Sequence, residues 1–213
     1  MRRGTGGAVL ASWIAIAALG STSVARADDT SAPGCTVKLA RVSPQNVPTF
    51  RSECVWSIAP MWVSAALTDP QDGHKSSLLK SSERLADGRI VNVQKTGWPF
   101  EDRQSTITQN DDPLPGGGVR RSYHLASQQA PLADGAVQVG VDEGLWEIGP
   151  HADGSHVVFE LTYEPGGNLP TRIVQTMSPK YIAKGLDELR VSAEKIARTK
   201  SATPNVASGP PTQ

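Results

Sequence analysis

The chain has no excess of charge of either sign: 21 basic and 21 acidic residues balance over 213 positions. A general nucleic-acid binder needs a basic stripe to meet phosphates, so this balance argues against one. It argues equally against strong electrostatic adhesion to an anionic lipid surface. Long apolar runs are also missing. Ala8 to Leu19 is well short of the roughly 20 residues that a spanning helix needs. Histidine and cysteine are scarce, with four and two. His74, His124, His151 and His156 are spread over turns and strands without metal-ligand spacing, so no metal site is expected. No Gly-x-Ser-x-Gly elbow occurs. Gly116-Gly117-Gly118 does not open onto a helix with Lys-Ser/Thr, which excludes a phosphate loop, and no cofactor is expected. No catalytic constellation emerges, and the chain reads as a binding protein rather than an enzyme.

What is present begins with an address. Arg2 and Arg3 form a positive start, Ala8 to Leu19 an apolar run with Trp13, Ile14 and Ile16, and Ala25-Arg26-Ala27 a small-residue cleavage site. This predicts a secretory signal peptide over 1–27, cut after Ala27, and a periplasmic or secreted mature chain. A lipoprotein cut before Cys35 is disfavoured, because Ser31-Ala32-Pro33-Gly34 lacks a branched aliphatic residue. The leader carries three arginines and no acid, so its removal leaves a net charge of about −3. In an oxidising compartment Cys35 and Cys54 are expected to bond. The alternative, a reactive thiol or metal pair, has no histidine beside it.

Residues 28–34 read as a short linker, 35–198 as one domain, and 199–213 as a disordered tail of Ser, Ala, Pro, Gly and Thr. Alternation at period two predicts strands over 35–41 and 49–58, the second with Phe50, Cys54, Trp56 and Ile58 on one face. Pro60 opens a short helix to about Thr68, and a polar helix or loop follows over 74–80. Strands over 82–86 and 89–96 flank Asp87-Gly88, a hairpin turn. Further strands are expected over 102–110, 119–127, 137–149 and 155–164, mostly antiparallel, seven or eight in all. A long C-terminal helix closes the domain. Ser178 is read as its N-cap and Pro179 as its first residue. Ile182, Leu186, Leu189, Ala193 and Ile196 make one apolar stripe. Arg172 to Met177 is read as a separate apolar piece before it.

Two segments resemble the StAR-related lipid-transfer (START) domains of the helix-grip superfamily, which also holds polyketide cyclases and coenzyme Q-binding proteins. One is Trp98-Pro99-Phe100-Glu101-Asp102-Arg103, similar to the family's Pro-Phe…Arg segment between two central strands. The other is Gly144-Leu145-Trp146 followed by Tyr163-Glu164-Pro165-Gly166-Gly167-Asn168-Leu169-Pro170, similar to the Asp-Pro-Gly-Gly-x-(Ile/Leu)-Pro that leads into the family's last helix. Ala66 to Asp69 resembles the end of its first helix. Gln104 and Glu164 stand where the family commonly has Asp, and a disulfide is not typical of it.

The resemblance covers about 35–197 and implies an α+β helix-grip fold, a curved antiparallel sheet wrapped around the long C-terminal helix with an apolar tunnel between them. Candidates to line the tunnel are Trp56, Val91, Val93, Ile107, Tyr123, Trp146, Phe159, Tyr163, Ile182 and Leu186, with ordinary core packing as the alternative for each. Arg103, if buried, either anchors a ligand head group or holds a structural salt bridge. The implied partner is a lipid or other hydrophobic small molecule bound by a monomer that touches membranes transiently. A cyclase-type enzyme using Tyr123, Glu147 or Arg103 as inward acid–base groups is the rival reading. An envelope interaction module with a filled interior is another.

Overall fold

In a computed structural model, residues 32–68, 76–96 and 100–201 are described. The segment expected to be a leader, the residues after Ser201, His74 and the Trp98-Pro99 pair lie outside them. The elements run β1 (Cys35–Val42), β2 (Pro48–Trp56), α1 (Pro60–Thr68), β3 (Leu79–Arg84), β4 (Ile90–Gln94), β5 (Asp102–Leu114), a 3-10 turn (Pro115–Gly117), β6 (Gly118–Leu125), β7 (Ala136–Gln138), β8 (Val141–His151), β9 (Gly154–Glu164) and α2 (Thr171–Ser201). The sheet order is β1-β2-β9-β8-β6-β5-β4-β3, antiparallel along the path, and the three-residue β7 pairs parallel with β5. This is an α+β helix-grip arrangement: a large antiparallel sheet with one long C-terminal helix against its inner face.

Because directly paired residues share a face, the register can be read as rows across the inner surface. One row is Cys35, Cys54, Val157, Ile148 and Val119. The next is Ser52, Phe159, Trp146 and Arg121, and the one after it Phe50, Leu161, Gly144 and Tyr123. The first row is buried with Val63 and Ala66 of α1 and Leu186, Leu189 and Ala193 of α2 in one core. Each such aliphatic side chain contributes roughly 1.5–3 kcal/mol by leaving water. The dry core therefore fills one end of the space between sheet and helix.

β3 begins at Leu79, inside the helix or loop expected over 74–80, and β5 runs through Leu114, past the strand end expected at 110; the larger differences are at 137–149 and at both ends of the last helix. The strand expected over 137–149 is broken, because Val139 donates its N–H to the Gln104 carbonyl while Gly140 donates to Glu164. The chain changes partner strand between those two residues. The C-terminal helix starts at Thr171, not at Ser178. Ile173 and Val174 donate to the Pro170 carbonyl and begin the first turn there. Pro179 lies inside the helix, where it removes one i→i−4 hydrogen bond. Burial of Val174 on the same stripe as Ile182 favours the continuous helix. Its other end runs through Ser201, past the boundary expected at 198.

Cys35 and Cys54 are direct cross-strand partners at the start of β1 and the end of β2, and they form a disulfide. Their sequence separation of 19 closes a loop worth about 3 kcal/mol in the chain-entropy account. Replacing both with alanine is expected to lower the unfolding free energy by about that much in urea titrations, with the strand signal in circular dichroism retained. Equal midpoints for the two proteins would contradict this.

Candidate functional site

From the Phe159-Trp146 row onward, away from Ile148 and Val157, the sheet and α2 separate and leave a cavity of about 530 Å³. Its wall comes from β4, β5, β6, β8 and β9, from Leu78 and Leu79 at the start of β3, and from the first half of α2. Two local features make the space. The ring of Tyr123 lies over Gly144, where an added Cβ would fall 2.3 Å from the tyrosine hydroxyl oxygen. The turn after β9 needs positive φ at both Gly166 and Gly167, at 70° and 65°, a conformation that glycine adopts without steric penalty. This turn carries the chain off β9, with Pro165 and Leu169 on the cavity wall, and delivers α2 across it. Ser76 and the Ser77 amide donate to the Glu188 carboxylate at 3.1 and 3.0 Å and fasten the segment before β3 to α2.

The apolar wall includes Trp146 stacked on Phe159, ring centroids 4.0 Å apart, with Leu161, Val174, Ile182, Leu186 and Leu189. Phe100, Ile173, Met177 and Tyr181 are lining residues that are also exposed, and they form an apolar rim. Polar groups gather in one region. Asp142 and Tyr163 are direct cross-strand partners, as are Gln94 and Arg103. The Tyr163 hydroxyl donates to Gln94 Oε1 at 2.8 Å.

Burial governs the chemistry of these groups. Asp142 is 4% exposed, and burial pushes its carboxyl from 3.8 up to about 6. The Ser105 hydroxyl beside it pulls the other way, although it makes no hydrogen bond of normal geometry. Burial also raises both tyrosines. Tyr163 is raised further by Asp142 and lowered by Arg103, so it sits between the two charges. Arg103 is equally buried at 4% exposure. Its guanidinium donates to the Glu101 carbonyl, and its Nε–H has no acceptor.

Of the eleven candidate binding residues named from the sequence, seven border the cavity: Arg103, Tyr123, Trp146, Phe159, Tyr163, Ile182 and Leu186. Four do not. Trp56 pairs with Ser155, one row past Cys54 and Val157 on the side away from the cavity, and is part of the dry core. Val93 pairs with Gln104, so it points to the outer face with Val91. There the segment 126–139 covers β5, held by Gln104 bonding to Pro131 and Ala133. Gln104 is thus a loop anchor. Ile107 shares the face of Arg103 but lies two alternations further along β5, beside Ile90 and Leu125. Glu147, a candidate inward acid, faces outward and pairs with Arg120 at 2.8 Å.

Asp142 is a further cavity residue, and alternation back from Trp146 through Gly144 is the signal that puts it on the inner face. Ile173 and Met177 line the cavity because the helix begins at Thr171, before the start expected at Ser178. Arg121 was missed between Val119 and Tyr123. It is buried and pairs with Asp111 at 2.6 Å, donating also to Leu67 O and Thr68 Oγ1. That pair holds the Asp111 carboxyl below its usual range and ties α1 to the sheet. Among the described residues no group of three or more His, Cys, Asp or Glu is placed to hold a metal ion.

Solved structures share this chain path. A STAR-related lipid transfer protein from Xanthomonas axonopodis superposes with a TM-score of 0.65 at 22% identity, over 77% of this chain and 96% of that one. The fold is START-like. Human STARD10 gives 0.68 at 14% identity, over 79% and 72% of the two chains. Human StAR-related lipid transfer protein 5 gives 0.63 at 14%, over 78% and 85%. No protein-family profile matches this chain, and no curated protein does. At these identities the likeness establishes the START-like architecture, and the site's chemistry rests on this chain's own residues.

The buried Asp142 makes a pH-dependent prediction. Its native carboxyl holds a proton that the unfolded chain releases near pH 4. Between about pH 4 and 6 the native state binds more protons, so this group's contribution falls as pH rises through that window. The penalty above it is on the order of 3 kcal/mol. Asp142→Asn is expected to raise Tm clearly at pH 8 and little at pH 4. An equal change at both would contradict burial as the cause.

Proposed function

We propose that the protein binds a lipid or other hydrophobic small molecule in this cavity and carries it outside the cytoplasm. The observation that carries the reading is the cavity itself. About 530 Å³ walled mainly by aromatic and aliphatic side chains lies within the size range of ligand sites, with a few convergent polar groups to fix orientation. Apolar ligand surface entering it gains roughly 25 cal/mol per Å² before ordering costs. The lipid-transfer names of its structural neighbours agree with this, and the volume speaks against an envelope module with a filled interior. Export is supported by the leader-like first 27 residues and by the Cys35–Cys54 bond, which suits an oxidising compartment. No described helix is long and apolar enough to cross a membrane. The exposed rim of Phe100, Ile173, Met177 and Tyr181 is where a monomer would meet a bilayer transiently.

One observation favours the second reading, a cyclase-type enzyme. Asp142, with its raised carboxyl, faces the cavity beside Tyr163, and an inward acid–base group is what such chemistry requires. Turnover of a polyketide-like substrate that is lost in Asp142→Asn would support it.

Native mass spectrometry of the mature protein, before and after lipid extraction, tests binding. One apolar molecule per chain, carried from expression or taken up afterwards, is the expected result. Gly185 faces the cavity on α2, where an added Cβ would meet only Leu78 at 3.8 Å. Gly185→Leu is therefore expected to fold and to lose uptake by filling the space. A folded wild type that neither carries nor takes up an apolar molecule would remove the proposal.

A further inference from the structure

Two arginines are buried on the inner face, and their surroundings differ. Arg121 has a bidentate carboxylate, a carbonyl and a hydroxyl. Arg103 has one backbone carbonyl, an Nε–H without an acceptor, and no ion pair with a carboxylate among the described residues. A buried cation without a counter-ion is strongly disfavoured unless something else supplies the charge. Asp142 does not supply it. Tyr163 stands beside Asp142 on the paired strand and bonds instead to Gln94, the partner of Arg103. Arg103 lines the cavity, and it is the buried cation of that lining.

We propose that the ligand brings the missing counter-ion: a single-chain amphiphile whose terminal carboxylate lies on the Arg103 guanidinium and whose chain runs between Phe159, Leu161, Ile182 and Leu186. The inference rests on the cavity-binding function and names its ligand class. Size favours one chain. At about 30 Å³ per water-sized group, 530 Å³ holds roughly 18 such groups, and a two-chain phospholipid has more than twice as many heavy atoms. Charge favours a carboxylate. A planar, singly charged head matches one guanidinium fork, whereas a dianionic phosphate would need a second buried cation. Lys95, the other cation of the lining, is exposed.

The test titrates palmitate, hexadecanol and a two-chain phosphatidylcholine into delipidated protein, each below its solubility limit. Palmitate is expected to bind one to one, about 10- to 100-fold more tightly than hexadecanol, as a charge-assisted hydrogen bond predicts. Arg103→Gln should erase that difference by bringing palmitate affinity down to that of the alcohol. Arg103→Lys, which keeps charge without the fork, should retain part of it. Equal affinity for acid and alcohol, or tighter binding of phosphatidylcholine, would overturn the ligand class while leaving cavity binding intact. Binding of none of the three would remove both. The wild-type comparison decides the matter even if a variant misfolds.

Discussion

How α2 sits on the sheet decides what else the molecule can do. Towards its C-terminal end the helix packs against α1 and the β1–β2 edge of the sheet, with Leu186, Leu189 and Ala193 in the buried core. Towards its N-terminal end it is carried away from the sheet by the Pro165-Gly166-Gly167 turn, and the Glu188 carboxylate fixes the segment before β3 at the point of divergence. One element is thus both a core helix and a cavity wall. The closed end supplies the apolar burial that holds the open end apart. Without that wedge the inner surfaces would collapse on each other, since apolar walls gain by contact.

The open end contains groups that oppose stability. A buried carboxyl raised to about 6 and a guanidinium with unused donors both sit on its wall. Such groups are disfavoured in a medium of low dielectric constant. Replacing them with apolar residues of similar size would stabilise the fold. Their presence is the kind of local conflict with packing that marks a functional site. The outer face of the same strands shows the contrast. There Gln104, Thr106, Gln129 and Gln138 satisfy one another and the loop above them.

The architecture was legible in the sequence because its signals are strong and local. Asp87-Gly88 marks a hairpin, the run from Ile182 to Ile196 marks a helix face, and Cys35 and Cys54 fall at opposed ends of two alternating strands. The site was legible in part. Trp146, Phe159, Tyr163, Tyr123 and Arg103 follow from parity on strands whose faces could be guessed. Val93 was misplaced because both faces of β4 are covered, so alternation of polarity fails there. Asp142 was passed over because an acid on a half-buried strand reads as surface, and only register with Trp146 shows otherwise. The helix start was misread because Ser178-Pro179 carries a good local start signal, yet packing of Val174 overrides it.

The central claim is that the space between the inner sheet face and the first half of α2 receives an apolar chain. The most direct measurement is a crystal structure grown with a long-chain ligand brominated at mid-chain, with the bromine located by its anomalous signal. The account predicts a single peak inside the cavity, between Leu161 and Ile182. A bromine bound only on the outer surface, with an empty cavity behind the rim of Phe100 and Met177, would contradict it.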